Sequence, residues 1–178
     1  VAHLDGDDQT DIALVDWIGN TVRIFPGFWK LHFGDPLVLP FDVEPTALAT
    51  GDLNGDKLRD LVVGFGDTPG FAVYAGDGTG FFSESDRGAL GGRPERIRIG
   101  DIDGDTRNDL LMFLPVPGSI AVRYQNDAGR FSEQQTYATG EGTSDVMFFQ
   151  DTRKKYLNAA MLSPGDGVLR LLHNRTVD

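Results

Sequence analysis

A nine-residue acidic loop, repeated at a fixed interval, limits what this chain can fold into. One copy is Asp52-Leu53-Asn54-Gly55-Asp56-Lys57-Leu58-Arg59-Asp60, followed at once by the apolar run Leu61-Val62-Val63. Side-chain oxygens stand at its first, third, fifth and ninth positions, on Asp52, Asn54, Asp56 and Asp60. Alternate oxygens on a tight turn converge on one point, which suits a hard cation that takes six to eight oxygen ligands. Leu58, at the seventh position, offers its backbone carbonyl. Without a cation, the carboxylates would repel one another across a few ångströms. The loop predicts a calcium site.

The segment Asp101-Ile102-Asp103-Gly104-Asp105-Thr106-Arg107-Asn108-Asp109 lies 49 residues further on, and His3-Leu4-Asp5-Gly6-Asp7-Asp8-Gln9-Thr10-Asp11 lies 49 residues earlier. Their candidate ligands are Asp101, Asp103, Asp105, Arg107 and Asp109, and Asp5, Asp7, Gln9 and Asp11, with Arg107 and Gln9 at the backbone-carbonyl position. One interval beyond Asp101, the segment Gln150 to Asn158 keeps the length but loses every ligand-position carboxylate, so that loop is expected to be empty. A period of this size marks a propeller, a solenoid or an array.

The same interval explains the charge. Net charge is −11, and ten acids occupy ligand positions, three in each of the first two loops and four in the third. Without them the balance is about −1, so the acidity belongs to the loops and not to a diffuse field. No basic stripe exists to meet phosphate, which argues against a nucleic-acid partner. The absence of cysteine excludes disulfides and thiolate metal sites. No apolar run approaches the ~18 residues of a membrane span, and no signal peptide is present. The chain opens almost inside a repeat, which reads as a processed or excised piece.

Each repeat reads as four short strands with no helical period. Leu14, Val63, Met112 and Met161 correspond on the second strand, as do Ile12, Leu61, Leu110 and Ala159. Leu48, Ile97 and Val146 correspond on the first strand, and Phe33, Phe82 and Phe131 follow the turn between third and fourth strands. Alternating apolar residues on short strands bury both sheet faces, as blades around an axis require. The expected fold is all-β: a propeller of four-stranded blades, about four in this chain, with borders near 1–44, 45–93, 94–142 and 143–178. The first repeat has only a stub of its first strand and the last stops one strand short. An open arc would expose sheet edges, so either the four blades close on themselves or, the favoured expectation, they belong to a larger propeller.

Gly51-Asp52-Leu53-Asn54-Gly55-Asp56 with Asp60-Leu61-Val62-Val63, and Gly100-Asp101-Ile102-Asp103-Gly104-Asp105 with Asp109-Leu110-Leu111, resemble the FG-GAP/VCBS repeat family. Gly76-Asp77-Gly78-Thr79-Gly80-Phe81 resembles the family's later turn. These are the calcium-loop β-propeller repeats of integrin α-chains and many bacterial surface proteins. The resemblance implies loops that join the first two strands of a blade and bind calcium, usually in seven-bladed rings.

Three departures stand out. Asp8, Lys57 and Thr106 occupy the sixth loop position, where the family often has glycine, so a left-handed backbone there would be strained. His3 is a poor calcium ligand, which makes the first site the weakest. Lys154 stands where the other loops carry Asp7, Asp56 and Asp105.

Ligands drawn from one short loop close around an ion and leave no open position for catalysis. The metal is therefore expected to be structural. Extracellular calcium modules bind at about 10⁻⁴–10⁻³ M, which points to an extracellular, cell-surface or periplasmic location. His3, His32 and His173 sit at unmatched positions and form no zinc or triad set. Pro26-Gly27-Phe28-Trp29-Lys30-Leu31-His32-Phe33 replaces the acidic hairpin turn of the second repeat with aromatics. That tip either folds back onto its blade or holds a sugar face or a partner protein. Arg93, Arg96, Arg98, Arg107 and Arg123 are expected to pair with nearby acids, with a binding patch as the alternative. Asn174-Arg175-Thr176 is a glycosylation sequon, meaningful in a eukaryotic secreted protein.

The expected function is a non-catalytic, calcium-stabilised binding or scaffold module for a protein or glycan partner, within a larger surface or periplasmic assembly. The alternatives are a lectin that binds sugars between blades, and the accessory propeller of a larger secreted enzyme.

Overall fold

Strands that leave the acidic loops are apolar on both faces, and so need a sheet on either side. A computed structural model of the chain describes residues 1–30, 32–140, 142–150, 157–163 and 167–172. Among these residues there is no helix, and the strands form successive antiparallel sheets in chain order. The first sheet contains β1 (Ile12–Asp16), β2 (Thr21–Phe25) and β5 (Leu37–Pro40), with a small hairpin of β3 (Gly27–Phe28) and β4 (His32–Phe33) beside it. The second contains β6 (Pro45–Gly51), β7 (Asp60–Phe65), β8 (Gly70–Gly76) and β9 (Phe82–Ala89). The third contains β10 (Arg96–Gly100), β11 (Asp109–Leu114), β12 (Ser119–Arg123) and β13 (Gln135–Ala138), and the fourth β14 (Asp145–Gln150), β15 (Leu157–Ser163) and β16 (Val168–Leu172). The stub expected at the start is the single bridge between Ala2 and Asp11.

Three hydrophobic cores lie between neighbouring sheets. Val22 and Ile24 of the first sheet meet Leu61, Val63, Ala72 and Phe82 of the second. Val62, Phe71 and Val73 meet Ile97, Leu110, Met112 and Leu114 of the third. Leu111, Phe113, Ile120 and Val122 meet Val146, Ala159 and Met161 of the fourth. Successive residues of β7 and β11 therefore serve opposite cores, the alternation that a pleated strand imposes. Both strands are buried along their full length.

The outer two faces correct part of the apolar register. Leu14 is 40% exposed and Phe33 41%, whereas Val63, Met112, Met161 and Phe82 are buried. Leu14 lies on the face of the first sheet that points away from the second, and no described sheet covers it. At the other end Leu162, Leu169 and Leu171 are exposed, although Phe113, Ile120 and Val122, one repeat earlier, are buried. Among the described residues no core joins the first sheet to the fourth.

Candidate metal centres

Each acidic loop joins the first and second strands of its repeat, or in the first repeat the stub and β1. The ninth residue locks it. Asp60 is buried; its Oδ2 accepts the Leu53 amide at 2.6 Å and its Oδ1 the Gly76 amide at 3.1 Å. Asp109 accepts from Ile102 at 2.8 Å and Gln125 at 2.9 Å, and Asp11 from Leu4 at 2.5 Å and Gly27 at 2.8 Å. One carboxylate thus ties the loop to the last residue of the third strand (Gly76) or to the residue two past it (Gly27, Gln125) in all three repeats. Expected as ion ligands, these residues have a second duty that the loop motif does not reveal, although Gly27, Gly76 and Gln125 keep the 49-residue spacing.

The remaining acids shape the turn. Asp52 accepts the amides of Gly55 at 2.7 Å and Lys57 at 2.9 Å; Asp101 accepts those of Gly104 at 2.7 Å and Thr106 at 3.0 Å. Asn54 accepts from Asp56 at 2.9 Å, and Asp56 from Leu58 at 2.7 Å. In the third loop Asp103 accepts from Asp105 and Asp105 from Arg107, and in the first Asp5 accepts from Asp7 and Asp7 from Gln9. Such side-chain-to-amide bonds two residues apart are turn-makers in their own right. Lys57 and Thr106 are left-handed, with φ of 70° and 77°, as expected for the sixth position, but Asp8 is not. The first loop differs for a visible reason: His3 replaces the first aspartate, and its Nδ1 engages the Gln9 carbonyl at 2.6 Å.

Asp5, Asp7 and Asp11 bring carboxylate oxygens within 4.8 Å of one another, as do Asp101, Asp103 and Asp109. Asp105 stands apart because the Arg107 guanidinium pairs with it, while also reaching Asp127 at 2.6 Å and the Gln125 carbonyl at 3.0 Å. In the second loop, Asn54 takes the place of the third-position acid. Burial pushes the Asp109 carboxyl up to about 6, with Asp103 and Asp105 adding to the effect. Burial likewise raises Asp60, with Asp56 and Asp52 adding, and raises Asp5 and Asp103. Clustered carboxylates that resist ionisation fit a hard cation, whose charge would reverse that shift.

Residues 151–156 of the fourth loop lie outside the described residues, as do Lys154, His173 and the 174–176 sequon. Arg93 and Arg96 pair with Glu44 and Asp145, as expected. Arg123 instead donates to the carbonyls of Ala89 and Ser132 and covers the Phe71 ring at 5.1 Å, and Arg98 donates to the Ile97 carbonyl. The hairpin tip does not fold back: Trp29 is 74% exposed and Phe28 is exposed beside it.

Stacked antiparallel sheets in chain order, the first three sharing an acidic loop of one design, define a β-propeller. The family model of the FG-GAP-like repeat matches residues 52–112. No curated protein matches the chain. Among solved structures, a Lactobacillus plantarum protein is similar in fold, with 15% identity and a TM-score of 0.54 over 97% of this chain and 55% of that one. BBS1N, in its complex with ARL6DN, is 13% identical, with a TM-score of 0.45 over 96% of this chain and 75% of that one. The chain thus spans just over half the length of the Lactobacillus plantarum protein. No helix among the described residues is long and apolar enough to cross a membrane.

Proposed function

We propose that this chain is a non-catalytic propeller segment, stabilised by calcium in its acidic loops, that presents a rigid surface to a protein or glycan partner outside the cytoplasm. The convergence of three carboxylates in the first and third loops carries the reading. The residues placed to hold the ion are Asp5, Asp7 and Asp11; Asp52, Asn54, Asp56 and Asp60; and Asp101, Asp103 and Asp109. The bound ion would relieve carboxylate repulsion where the first two strands of a blade meet. Filling one site at a hundred times Kd stabilises the fold by about 2.7 kcal/mol. Millimolar calcium outside the cell suits modules that bind at about 10⁻⁴–10⁻³ M. Thermal melts with calcium and with excess chelator test this: chelation is expected to lower Tm by about 5 °C or more. An identical melt in both conditions would count against structural calcium. Turnover of any substrate by this chain would contradict the non-catalytic role.

A lectin is the second reading, favoured by the exposed Trp29 at the β3–β4 tip. An aromatic ring there offers a flat face to the C–H side of a sugar. Glycan-array binding that disappears in Trp29→Ala would select this reading over a protein partner.

A further inference from the structure

Asp109 connects the third loop to the second. Its carboxylate accepts the Gln125 amide, and Asn108 precedes it in sequence. The side chains of both residues leave their own blade. Asn108 Nδ2 donates to the Asp52 carbonyl at 2.8 Å, and Gln125 Nε2 donates to the Leu53 carbonyl. The Leu53 amide is already held by Asp60 at 2.6 Å. Three successive polar backbone atoms at the entry of the second loop are therefore fixed, two of them by the third blade. Holding both carbonyls sets the peptide planes from which Asp52 and Asn54 project.

We infer that Asn108 and Gln125 are positioning residues that couple the two loops, so that an ion in the third loop raises the calcium affinity of the second. The inference rests on the calcium reading above. An ion held by Asp109 orders Asn108 beside it in the chain, and Gln125 through the bond to its amide. The second loop is then presented in its binding shape at less cost in conformational entropy. By linkage, an ion in the second loop favours the third equally. The equivalent residues at the preceding junction differ. Arg59 stands in place of Asn108 and Gly76 in place of Gln125. A Cβ on Gly76 would lie 2.2 Å from the Arg59 carbonyl oxygen, so that position has no room for a reaching side chain. The coupling proposed therefore concerns the second and third loops.

Calcium titration of the whole chain, followed through the amide signals of Gly55 and Gly104, reads the second and third loops separately. Asp103→Asn weakens the third loop and is expected to lower the affinity of the second about fivefold or more. In an Asn108→Ala/Gln125→Ala background, the same substitution is expected to leave the second loop within about twofold of its value in that background. Gln125→Glu keeps the length and the backbone amide but loses the donor; with Asn108→Ala it serves if the double alanine variant does not fold. A second-loop affinity indifferent to Asp103→Asn in the otherwise native chain overturns the coupling. So does an equal drop in both backgrounds. A Gly55 signal that ignores calcium altogether overturns the calcium reading as well, which separates the two failures.

Discussion

Glu44 and Arg93 stand one repeat apart in sequence, and their side chains meet. The Arg93 guanidinium donates to both Glu44 carboxylate oxygens, at 2.8 and 2.9 Å. Arg96 and Asp145, also one repeat apart, pair at 2.9 Å between the third and fourth blades. Ion pairs thus join neighbouring blades at matching positions. Both are partly exposed, so solvent screens them. Arg93→Ala is expected to cost less than about 1 kcal/mol, and a double-mutant cycle with Glu44→Ala in denaturant melts should give a coupling energy of the same size. A coupling energy several times larger would mean that the pair is shielded from solvent.

Removing the buried aspartate at the ninth loop position should cost far more. Asp60→Ala and Asp109→Ala each leave two amides without their acceptor, at about 1–3 kcal/mol per unsatisfied buried group. The loss is expected to persist in chelator, because the latch is independent of any ion. Denaturant melts in chelator check this. A variant as stable as the parent under those conditions would contradict the latch.

The metal-free protein should lose stability as pH rises from about 5 to 7. Burial raises Asp109 to about 6 in the folded chain, and Asp5, Asp60 and Asp103 shift in the same direction. The folded state then holds protons more tightly than the unfolded chain does. That stabilisation is complete below the ordinary carboxylate range and is lost as pH passes through about 6. Saturating calcium should flatten or reverse the trend, because the ion needs the ionised carboxylates. Melting temperatures across this range, with and without chelator, check the sign. A metal-free Tm that climbs over the same window would contradict it.

Equivalent positions should respond differently according to whether their blade face is covered. Ile120→Ala opens the core between the third and fourth blades and is expected to cost about 2–5 kcal/mol. Leu169 stands one repeat later, is 63% exposed, and should tolerate alanine within about 0.5 kcal/mol. Chemical denaturation of the two variants compares them directly. Equal losses would mean that Leu169 is covered in solution.

Much of this architecture is legible in the sequence because the repeat carries it. The 49-residue interval places the strands, and the apolar runs Leu61-Val62-Val63 and Leu110-Leu111-Met112 imply burial on both faces, which the structure resolves into opposite cores. Glycine at the fourth loop position and left-handed Lys57 and Thr106 follow the same pattern. Leu14 and Phe33 were harder to read, since burial depends on a neighbouring sheet and not on the residue's own repeat. The double duty of Asp11, Asp60 and Asp109 was hidden because a carboxylate suits an ion and an amide equally well. Arg107 was a candidate through its carbonyl, yet its side chain draws Asp105 away from the cluster. Gln125 and Asn108 carry no motif, and only the third dimension brings them to Asp52 and Leu53.

Calorimetric titration of the metal-free chain with calcium at neutral pH tests the central claim most directly. The account predicts saturable binding at two to three sites, abolished at the third by Asp101→Asn with Asp103→Asn. No heat up to several millimolar calcium, from a chain shown by circular dichroism to be folded, would contradict it.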